Sequence, residues 1–299
     1  MSVIKLIRYV TQHPLSRGRR IRNVLRVVAW QLRSRLVSRS KTFKFANGTR
    51  MYVDRGMTGI TGSLYVGLDE FQDMAVLLHF LRSGDLFVDV GANVGSYTIL
   101  AAGAIGANVI AFEPGQTARE WLNRNIELNK CGDRVDLRRQ AVGSSSGTTA
   151  FTKGLDTVNH LIPYDPSLVL EGESEIVEIT TLDKELEGKS PVMIKVDVEG
   201  FETEVLRGAA TTLATPALQC VLLELCGSGA AYGYDEEDVR RTMKHFGFQA
   251  CVYHPFERQL VRGDAGTIFS NNALFVRDMA YVAERLATAR PFLVLDKSI

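Results

Sequence analysis

Short apolar runs and helical spacing alternate along most of the chain. Runs of the length of a buried strand predict β-strands at Leu86–Val90, Asn108–Phe112, Val135–Val142, Val192–Val196, Gln219–Leu225, Gln249–His254 and Asn272–Val276. Helical spacing lies between most of these runs and also predicts helices over Glu70–Leu81 and Asp235–Phe246. Strands that alternate with helices predict an α/β fold with a largely parallel, doubly wound sheet. The last two strands are expected to form an antiparallel pair at one edge.

The N-terminal part of the chain differs from the rest in charge. Residues 1–45 contain 12 of the 35 Lys and Arg residues and no acidic residue, so all 34 Asp and Glu residues lie beyond them. Within this part, residues 20–37 have the spacing of a basic amphipathic helix, whose main stripe holds Ile21, Val24, Val28, Gln31, Leu32 and Arg35. Residues 43–54 predict a hairpin that turns at Asn47-Gly48. We therefore divide the chain into a basic helical segment, residues 1–45, and an α/β domain, residues 46–299.

Two interpretations of the basic helix stay open. It packs on the main domain with a solvated basic face, or residues 17–44 contact anionic lipid or an acidic partner. No uncharged run approaches the roughly 20 apolar residues of a transmembrane helix, and the N-terminus lacks the apolar core of a signal peptide. The cysteines form no CxxC pair and no zinc-binding spacing, which is typical of free thiols in a reducing cytosol. We expect a cytoplasmic protein that is soluble or at most peripheral at the inner membrane face.

The stretch FVDVGANVGSYTIL, residues 87–100, joins the first strand to a helix through a tight glycine turn. Gly91 and Gly95 let the backbone turn and approach a ligand, because neither residue has a Cβ atom. At the end of the second strand lies Glu113, whose carboxylate can accept both hydroxyls of a ribose. In a doubly wound sheet such residues meet at the crevice where the strand order reverses. The pattern therefore indicates a site for a nucleoside-like ligand.

The loop does not match a dinucleotide-binding fingerprint. The three glycine positions of G-x-G-x-x-G read Gly91, Asn93 and Ser96, so two of them fail. Asp89, before the loop, would repel a pyrophosphate but suits a ligand with an ammonium group. S-adenosylmethionine has a ribose, an amino-acid tail and a sulfonium, and no phosphate, so it fits. Two simpler interpretations remain, in which Asp89 is a buried acid bonded to backbone N–H groups and Asn93 is only a turn residue.

A second acidic motif, IKVDVEGFETEVLRGA, covers residues 194–209. Alternation along an extended chain predicts Lys195, Asp197 and Glu199 on one side. At the end of the fourth strand, beside the first, the two acids would face the reactive end of the ligand. The alternative is a solvated charged loop that leads into a helix. Asp197, Glu199 and Glu224 could together hold a divalent cation, but their spacing requires none, and we predict no metal.

These segments resemble the FkbM-type family of S-adenosylmethionine-dependent methyltransferases. The resemblance spans residues 50–277 and rests on FVDVGANVGSYT, VIAFEP, AVG, TTLD, IKVDVEGFE with VLRGA, LLEL and NALFV, in matching order. It implies a Rossmann-like class I methyltransferase fold, with seven mostly parallel strands and an antiparallel last strand. It also implies S-adenosylmethionine as cofactor and methyl transfer to the hydroxyl of a small molecule or glycan, such as a sugar or polyketide.

The resemblance carries site residues over to this sequence. Asp89, Gly91, Asn93 and Gly95 would surround the methionine part of the cofactor, Glu113 would bind the ribose, and Gln140 and Ala141 would lie along the adenine. The family often has a small polar set after the third strand, for which this chain offers Asp156, Asn159 and His160.

A base within hydrogen-bond reach helps an alcohol to attack a methyl group. Asp197 and Glu199 are the candidate catalytic residues, with Asp197 nearer the cofactor, and His160 is the alternative base. Glu199 and Glu224 are the candidate substrate-binding residues. Three other functions are weighed: an NAD-dependent oxidoreductase or epimerase, a non-catalytic scaffold of the same fold, and a nucleic-acid methyltransferase. The acidic balance of residues 46–299 argues against the last, so no nucleic-acid partner is expected.

Overall fold

The computed structural model of the protein describes residues 3–36, 40–152, 159–161, 174–263 and 271–299. The α-helices within these ranges are α1 (Val3–Gln12), α2 (Arg20–Leu36), α3 (Thr58–Val66), α4 (Phe71–Phe80), α5 (Ser96–Ile99), α6 (Gln116–Asn129), α7 (Leu182–Glu185), α8 (Glu202–Arg207), α9 (Ala210–Ala214), α10 (Glu236–His245) and α11 (Met279–Ala287). The strands are β1 (Lys41–Lys44), β2 (Arg50–Val53), β3 (Leu86–Val90), β4 (Asn108–Phe112), β5 (Val135–Arg138), β6 (Ala141–Val142), β7 (Gly147–Thr152), β8 (Ser174–Thr180), β9 (Met193–Val196), β10 (Cys220–Glu224), β11 (Gln249–His254), β12 (Gln259–Arg262), β13 (Asn272–Val276), β14 (Leu293–Val294) and β15 (Lys297–Ser298).

The largest sheet contains eight strands in the order β12-β11-β13-β10-β9-β3-β4-β5. The five strands from β10 to β5 are parallel, whereas β13 is antiparallel to both of its neighbours, β10 and β11. This confirms the predicted α/β fold with its antiparallel last strand. The order reverses between β3 and β9, which is the point where ligands bind in such sheets.

The edge of this sheet differs from the prediction. The sequence predicted β11 and β13 as an antiparallel pair at the edge, and they do pair, but the edge itself is β12, an additional strand. The turn before β12 is held by the guanidinium of Arg258, which donates to the backbone oxygens of Leu286, Ala289 and Ile299. β12 has only four residues, and their pattern of polar and apolar positions is too short to predict a strand from the sequence alone.

The two faces of the sheet bury separate hydrophobic clusters. Along β3, Phe87 belongs to one cluster, while Val88 and Val90 belong to the other. The first face is covered by helices that include α4 and α11, and the second by α8 and α10. This alternation matches the two-residue period of a strand. It also determines that Asp89 and Lys195, at odd positions, share the face of Phe87.

The predicted strand Val135–Val142 divides into two. Its first part, β5, completes the large sheet, and its second part, β6, pairs with β8 in a three-stranded sheet of order β6-β8-β7. The backbone oxygen of Arg138 accepts from the Glu113 N–H at 3.0 Å, and after it the chain leaves β4. Gln140 therefore lies in the link between two sheets, close to the ends of β3 and β4.

The N-terminal segment forms two helices that pack on the domain. The predicted helix is present as α2, but its buried side carries Asn23, Val27 and Trp30 and not the predicted stripe. Val10 of α1 and Val27 of α2 belong to the same hydrophobic cluster as α4. The boundary at residue 45 stays a prediction. No helix in the described ranges is long and apolar enough to cross a membrane.

The predicted hairpin is present, with β1 and β2 paired antiparallel. Asn47 and Gly48 both have positive φ, as the central residues of a type I′ turn require. All four cysteines are described and free, and three of them are buried.

Candidate active site

A cavity of about 320 Å³ lies at the carboxyl ends of β3, β4, β9 and β10. Its size and position are those of a small-molecule site in a doubly wound sheet. The predicted site residues that line it are Asp89, Gly91, Asn93, Glu113, Gln140, Ala141, Asp197, Glu199 and Glu224. Two stretches far apart in the chain, around residues 90 and 197, therefore meet at one cavity.

The glycine turn after β3 fits closely against the end of β9. Gly91 has φ +78°, and a Cβ atom there would lie 1.8 Å from the carbonyl oxygen of Asp197. Only glycine is compatible with that approach. Gly95, at φ +95°, is the N-cap of α5, and a Cβ atom on it would meet Leu122 at 2.3 Å. Gly95 therefore shapes the loop from behind, and it is not among the residues that line the cavity.

The carboxylate of Glu113 is held in place by the backbone. Its Oε2 accepts from the N–H of Asn93, and its Oε1 accepts from the N–H of Gly115, both at 2.8 Å. Burial raises its pKa to about 7, although the two N–H groups favour the charged form. Each oxygen retains a free lone pair. Glu113 thus both closes the loop at Asn93 and offers two acceptors to a ligand.

Asn93 fits both of its interpretations. Its φ is +50°, and its Oδ1 accepts from the N–H of Val94 at 2.7 Å, as expected of a turn residue in the left-handed region. It also lines the cavity.

Asp89 is a buried acid with one unsatisfied oxygen. Its Oδ2 accepts from the Thr98 hydroxyl at 2.6 Å, whereas its Oδ1 has no hydrogen-bond partner among the described residues. The backbone N–H of Thr98 also hydrogen-bonds this carboxylate, which agrees in part with the interpretation of Asp89 as an acid bonded to backbone N–H groups. Burial raises the pKa of Asp89, and the ammonium of Lys195 opposes this. A buried acceptor without a partner is costly, so this oxygen suits a ligand that donates.

Lys195 is a buried cation among acids. Its Nζ donates to Oδ2 of Asp197 at 2.7 Å and lies 4.8 Å from the centre of the Tyr97 ring. In the register of β3 and β9, Lys195 is also the direct neighbour of Asp89. Burial alone would lower the pKa of the ammonium, but Asp197, Asp89 and Glu70 outweigh it and raise the pKa. The prediction that Lys195 and Asp197 share one side is confirmed.

Glu199 does not continue the alternation of β9. Its φ is +56° and that of Gly200 is +105°, so the chain turns in the left-handed region directly after the strand. A Cβ atom on Gly200 would lie 2.7 Å from the backbone of Ser228, which keeps this turn close to its neighbour. The prediction of an extended chain through Glu199 is therefore wrong. A non-glycine residue in this region is strained, and such strain is common at functional sites.

Three carboxyl groups nevertheless converge here. Oxygen atoms of Asp197, Glu199 and Glu224 all lie within 4.8 Å of one another. Burial, with repulsion from Asp197 and Glu202, raises the pKa of Glu199 to about 7. Burial, with repulsion from Asp197 and Glu199, raises the pKa of Glu224 above that of Glu199. Such a set can share protons or coordinate a divalent cation, and the absence of a metal stays a prediction.

The polar set after the third strand is only partly described. Asp156 lies outside the described residues, and Asn159 lines the cavity. The His160 N–H donates to the Thr152 hydroxyl at 2.9 Å, and the His160 carbonyl accepts from the Thr152 N–H at 3.0 Å. His160 is not among the residues that line the cavity. Its role as the alternative base stays a prediction.

Sequence reasoning missed the contribution of α4. Glu70, at the N-cap of this helix, lines the cavity, and its Oε2 accepts from the Tyr97 hydroxyl at 2.8 Å. The amide of Asn272 in β13 donates to its Oε1 at 3.1 Å. Burial raises the pKa of Glu70 to about 7, opposed by Lys195. The one available signal was an acid directly before an almost wholly apolar helix, which reads equally well as a cap.

The sequence of this chain is similar to those of known methyltransferases. The model of the methyltransferase FkbM domain matches residues 89–250, more than half of the chain. Hexuronic acid methyltransferase AglP of Haloferax volcanii is 30% identical over 172 residues, which are 56% of this chain and 65% of that protein. Methyltransferase sdnD of Sordaria araneosa is 28% identical over 169 residues, 46% of this chain and 65% of that protein.

Among solved structures, P. horikoshii TYW2 in complex with MeSAdo is 14% identical with a TM-score of 0.40, over 80% of this chain and 70% of that one. The chain thus spans 65% of the length of the two curated relatives. The region of this chain that matches the family model contains Asp89, Glu113 and the second acidic motif, residues 194–209. The family model and both curated relatives are named as methyltransferases. The chain belongs to the methyltransferase FkbM family.

Proposed function

We propose that the protein is an S-adenosylmethionine-dependent O-methyltransferase that acts on a sugar hydroxyl. The observation that carries this proposal is a set of acceptor oxygens without hydrogen-bond partners in the described chain. Asp89 Oδ1, Gln140 Oε1 and Glu224 Oε2 are all buried, and all belong to residues that line the same cavity. Buried polar atoms normally have partners, so the cavity suits a ligand that donates hydrogen bonds at several points.

Three donor groups of S-adenosylmethionine match acceptors along one wall of this cavity. Its ammonium group would bind Asp89 Oδ1, its ribose hydroxyls Glu113, and its adenine amine Gln140 Oε1. Gly91, Asn93 and Ala141 would line the intervening wall, with Gly95 supporting the loop from behind. A dinucleotide would instead bring a pyrophosphate to a loop flanked by Asp89 and Glu113, where like charge opposes it.

The reacting end of the cavity is rich in carboxyl groups. The bound cofactor would supply an electrophilic methyl group on a sulfonium sulfur. The carbon–sulfur bond would break as the acceptor oxygen bonds to the methyl carbon, and the sulfur would leave as a neutral thioether. Glu199, with a pKa of about 7, would take the proton of the acceptor hydroxyl. Glu224, whose pKa is higher, would keep its proton and hydrogen-bond a neighbouring hydroxyl. Asp197, fixed by Lys195, would orient these groups.

A sugar acceptor is proposed on two grounds. Vicinal hydroxyls suit a site with several carboxyl oxygens within 4.8 Å of one another. The relative AglP is named a hexuronic acid methyltransferase. A nucleic-acid acceptor is disfavoured because residues 46–299 carry 34 Asp and Glu against 23 Lys and Arg, the other 12 of the 35 basic residues lying in residues 1–45, which is a poor match for a polyanion.

Calorimetric titration tests the cofactor. We expect S-adenosylmethionine to bind the purified protein in the micromolar range and NAD not to bind. Failure of the folded protein to bind S-adenosylmethionine would remove the proposal, and NAD binding in its place would favour the oxidoreductase alternative. A screen of neutral and uronic sugars for methyl incorporation then identifies the acceptor, and binding without transfer to any acceptor favours the scaffold alternative.

The pH dependence of the reaction tests Glu199. A base must be deprotonated to act, so kcat at saturating S-adenosylmethionine is expected to fall tenfold per pH unit below a pKa of about 7. Glu199→Gln is expected to remove this limb and to lower kcat about 100-fold or more, with little change in cofactor affinity. His160→Gln serves as the comparison. If this variant loses the acidic limb and Glu199→Gln keeps it, the base is His160.

A further inference from the structure

One side of α2 exposes a continuous apolar stripe. Ile21, Leu25, Val28, Leu32 and Leu36 are 79, 60, 46, 57 and 82% exposed. Their spacing of four, three, four and four residues keeps them on one stripe of an α-helix along its whole length. Isolated exposed apolar residues are ordinary, but a contiguous set marks an interaction surface.

The stripe is not the side by which α2 packs. Asn23, Val27 and Trp30 are buried about half a helical turn away and hold the helix to the domain. Asn23 also donates to the Ser16 hydroxyl at 2.7 Å. Because α2 is anchored through its opposite side, the exposed stripe is a fixed face of the folded protein.

Arginines border the stripe on both sides. At 3.6 residues per turn, Arg22, Arg26 and Arg33 fall on one flank and Arg20 and Arg35 on the other. Neither α1 nor α2 contains an acidic residue. Arg22 pairs with Asp296, but Arg20, Arg33 and Arg35 form no ion pair within the described part of the chain. Guanidinium groups bind phosphate oxygens with two parallel hydrogen bonds.

The neighbouring helix α1 has the same character. Val3, Ile4 and Ile7 are 70, 81 and 38% exposed, beside the basic residues Lys5 and Arg8. α1 is also fixed to the domain, since the Tyr9 hydroxyl donates to Asp69, a residue that lines the cavity. Both helices thus present exposed apolar and basic residues while other residues of each fix it to the domain.

We propose that α1 and α2 form a surface that binds anionic lipid bilayers. The apolar stripe would enter the boundary between headgroups and acyl chains, and the flanking arginines would contact lipid phosphates. Two helices without acidic residues of their own, which combine an apolar stripe with arginines on both flanks, complement this boundary in both respects. This inference concerns attachment and is independent of the reaction in the cavity.

Vesicle sedimentation with the full chain tests the proposal. We expect binding to phosphatidylcholine vesicles that contain phosphatidylglycerol, little binding to pure phosphatidylcholine, and weaker binding at high ionic strength. Leu25→Gln with Leu32→Gln is expected to lower the partition coefficient about tenfold for each leucine. Arg33→Gln with Arg35→Gln is expected to lower it about fivefold for each arginine.

Matched variants keep these effects specific. Ile176→Gln removes an apolar side chain of similar exposure, 66%, from β8, and Lys184→Gln with Arg262→Gln removes two exposed cations elsewhere. These controls should bind as the original protein does. Equal binding to both vesicle types, or unchanged binding of the stripe variant, overturns the proposal. A dimer in analytical ultracentrifugation that the leucine changes dissociate also overturns it, since a second copy would then cover the stripe.

Discussion

Replacement of Lys195 by methionine is expected to lower the free energy of unfolding by about 3–5 kcal/mol. The ammonium is only 3% exposed and lies among the carboxyl groups of Asp197, Asp89 and Glu70. Methionine fills similar space but leaves the buried Asp89 and the half-buried Glu70 and Asp197 without their cation. Urea denaturation of the two proteins at neutral pH measures the difference. An exposed lysine changed in the same way, Lys184→Met in α7, should cost less than about 0.5 kcal/mol.

The pH dependence of this difference separates charge from packing. Lys195 lowers the pKa values of Asp89 and Glu70, which burial raises. Without it, both folded-state pKa values rise further above their unfolded values. Carboxyl groups of that kind favour the folded state while they are protonated and oppose it as pH rises. The stability deficit should therefore grow from mildly acidic pH to above pH 7, whereas a deficit that is constant with pH would show that Lys195 acts through packing alone.

The large sheet could be predicted from the sequence because five of its strands, β3, β4, β9, β10 and β13, are almost wholly buried and therefore apolar. β3, β4, β11 and β13 have the bounds that their apolar runs predict. The division between β5 and β6 could not be predicted, because Arg139 and Gln140 interrupt the pattern no more than an exposed strand position does. Pairing with β8, a strand far along the chain, decides where β6 begins. Long-range pairing overrides local pattern here.

The part of the candidate site at the ends of β3 and β4 was more predictable than the part formed by Glu70 and by the turn after β9. Asp89, Gly91 and Glu113 come from one strand-turn-helix-strand unit, where spacing along the chain determines position in space. Glu70 joins the same cavity from a helix that precedes the first strand of the large sheet, so no local spacing points to it. The turn at Glu199 was missed because alternation presumes an extended backbone, and only the close approach of Gly200 to Ser228 reveals the left-handed turn.

The stripe predicted on α2 shares Ile21, Val28 and Leu32 with the exposed apolar stripe, but it also included Gln31 and Arg35, and it does not face the core. Amphipathic spacing shows that a helix has an apolar side, and by itself it does not show what covers that side. Here the helix carries two apolar sides, one against the domain through Val27 and Trp30 and one toward solvent through Leu25 and Leu32. The choice between them depends on shape complementarity with α3 and the domain, which a single helix does not encode.

Removal of the Glu113 carboxylate is expected to weaken S-adenosylmethionine binding about 100-fold or more. Two hydrogen bonds from ribose hydroxyls to a charged acceptor contribute about 1.5–3 kcal/mol each, and each 1.4 kcal/mol is a factor of ten in Kd. Glu113→Ala also frees the N–H groups of Asn93 and Gly115, so the glycine loop is held to β4 only by the backbone bonds of Gly91 and Ala92 to Phe112. Calorimetric titration of the original protein and the variant gives the two Kd values directly.

Two causes of weaker cofactor binding by Glu113→Ala must be distinguished, namely displacement of the glycine loop and loss of the ribose contact. Glu113→Gln keeps one carbonyl acceptor and similar volume, so its affinity is expected to fall between those of the original protein and Glu113→Ala. Glu127→Ala, on the exposed side of α6, removes an acid near in sequence and should bind as the original protein does. Thermal unfolding of each variant reports whether the fold survives. A folded Glu113→Ala protein with unchanged Kd would show that Glu113 serves only to hold Asn93 and Gly115, and the ribose would then need another acceptor along the same wall.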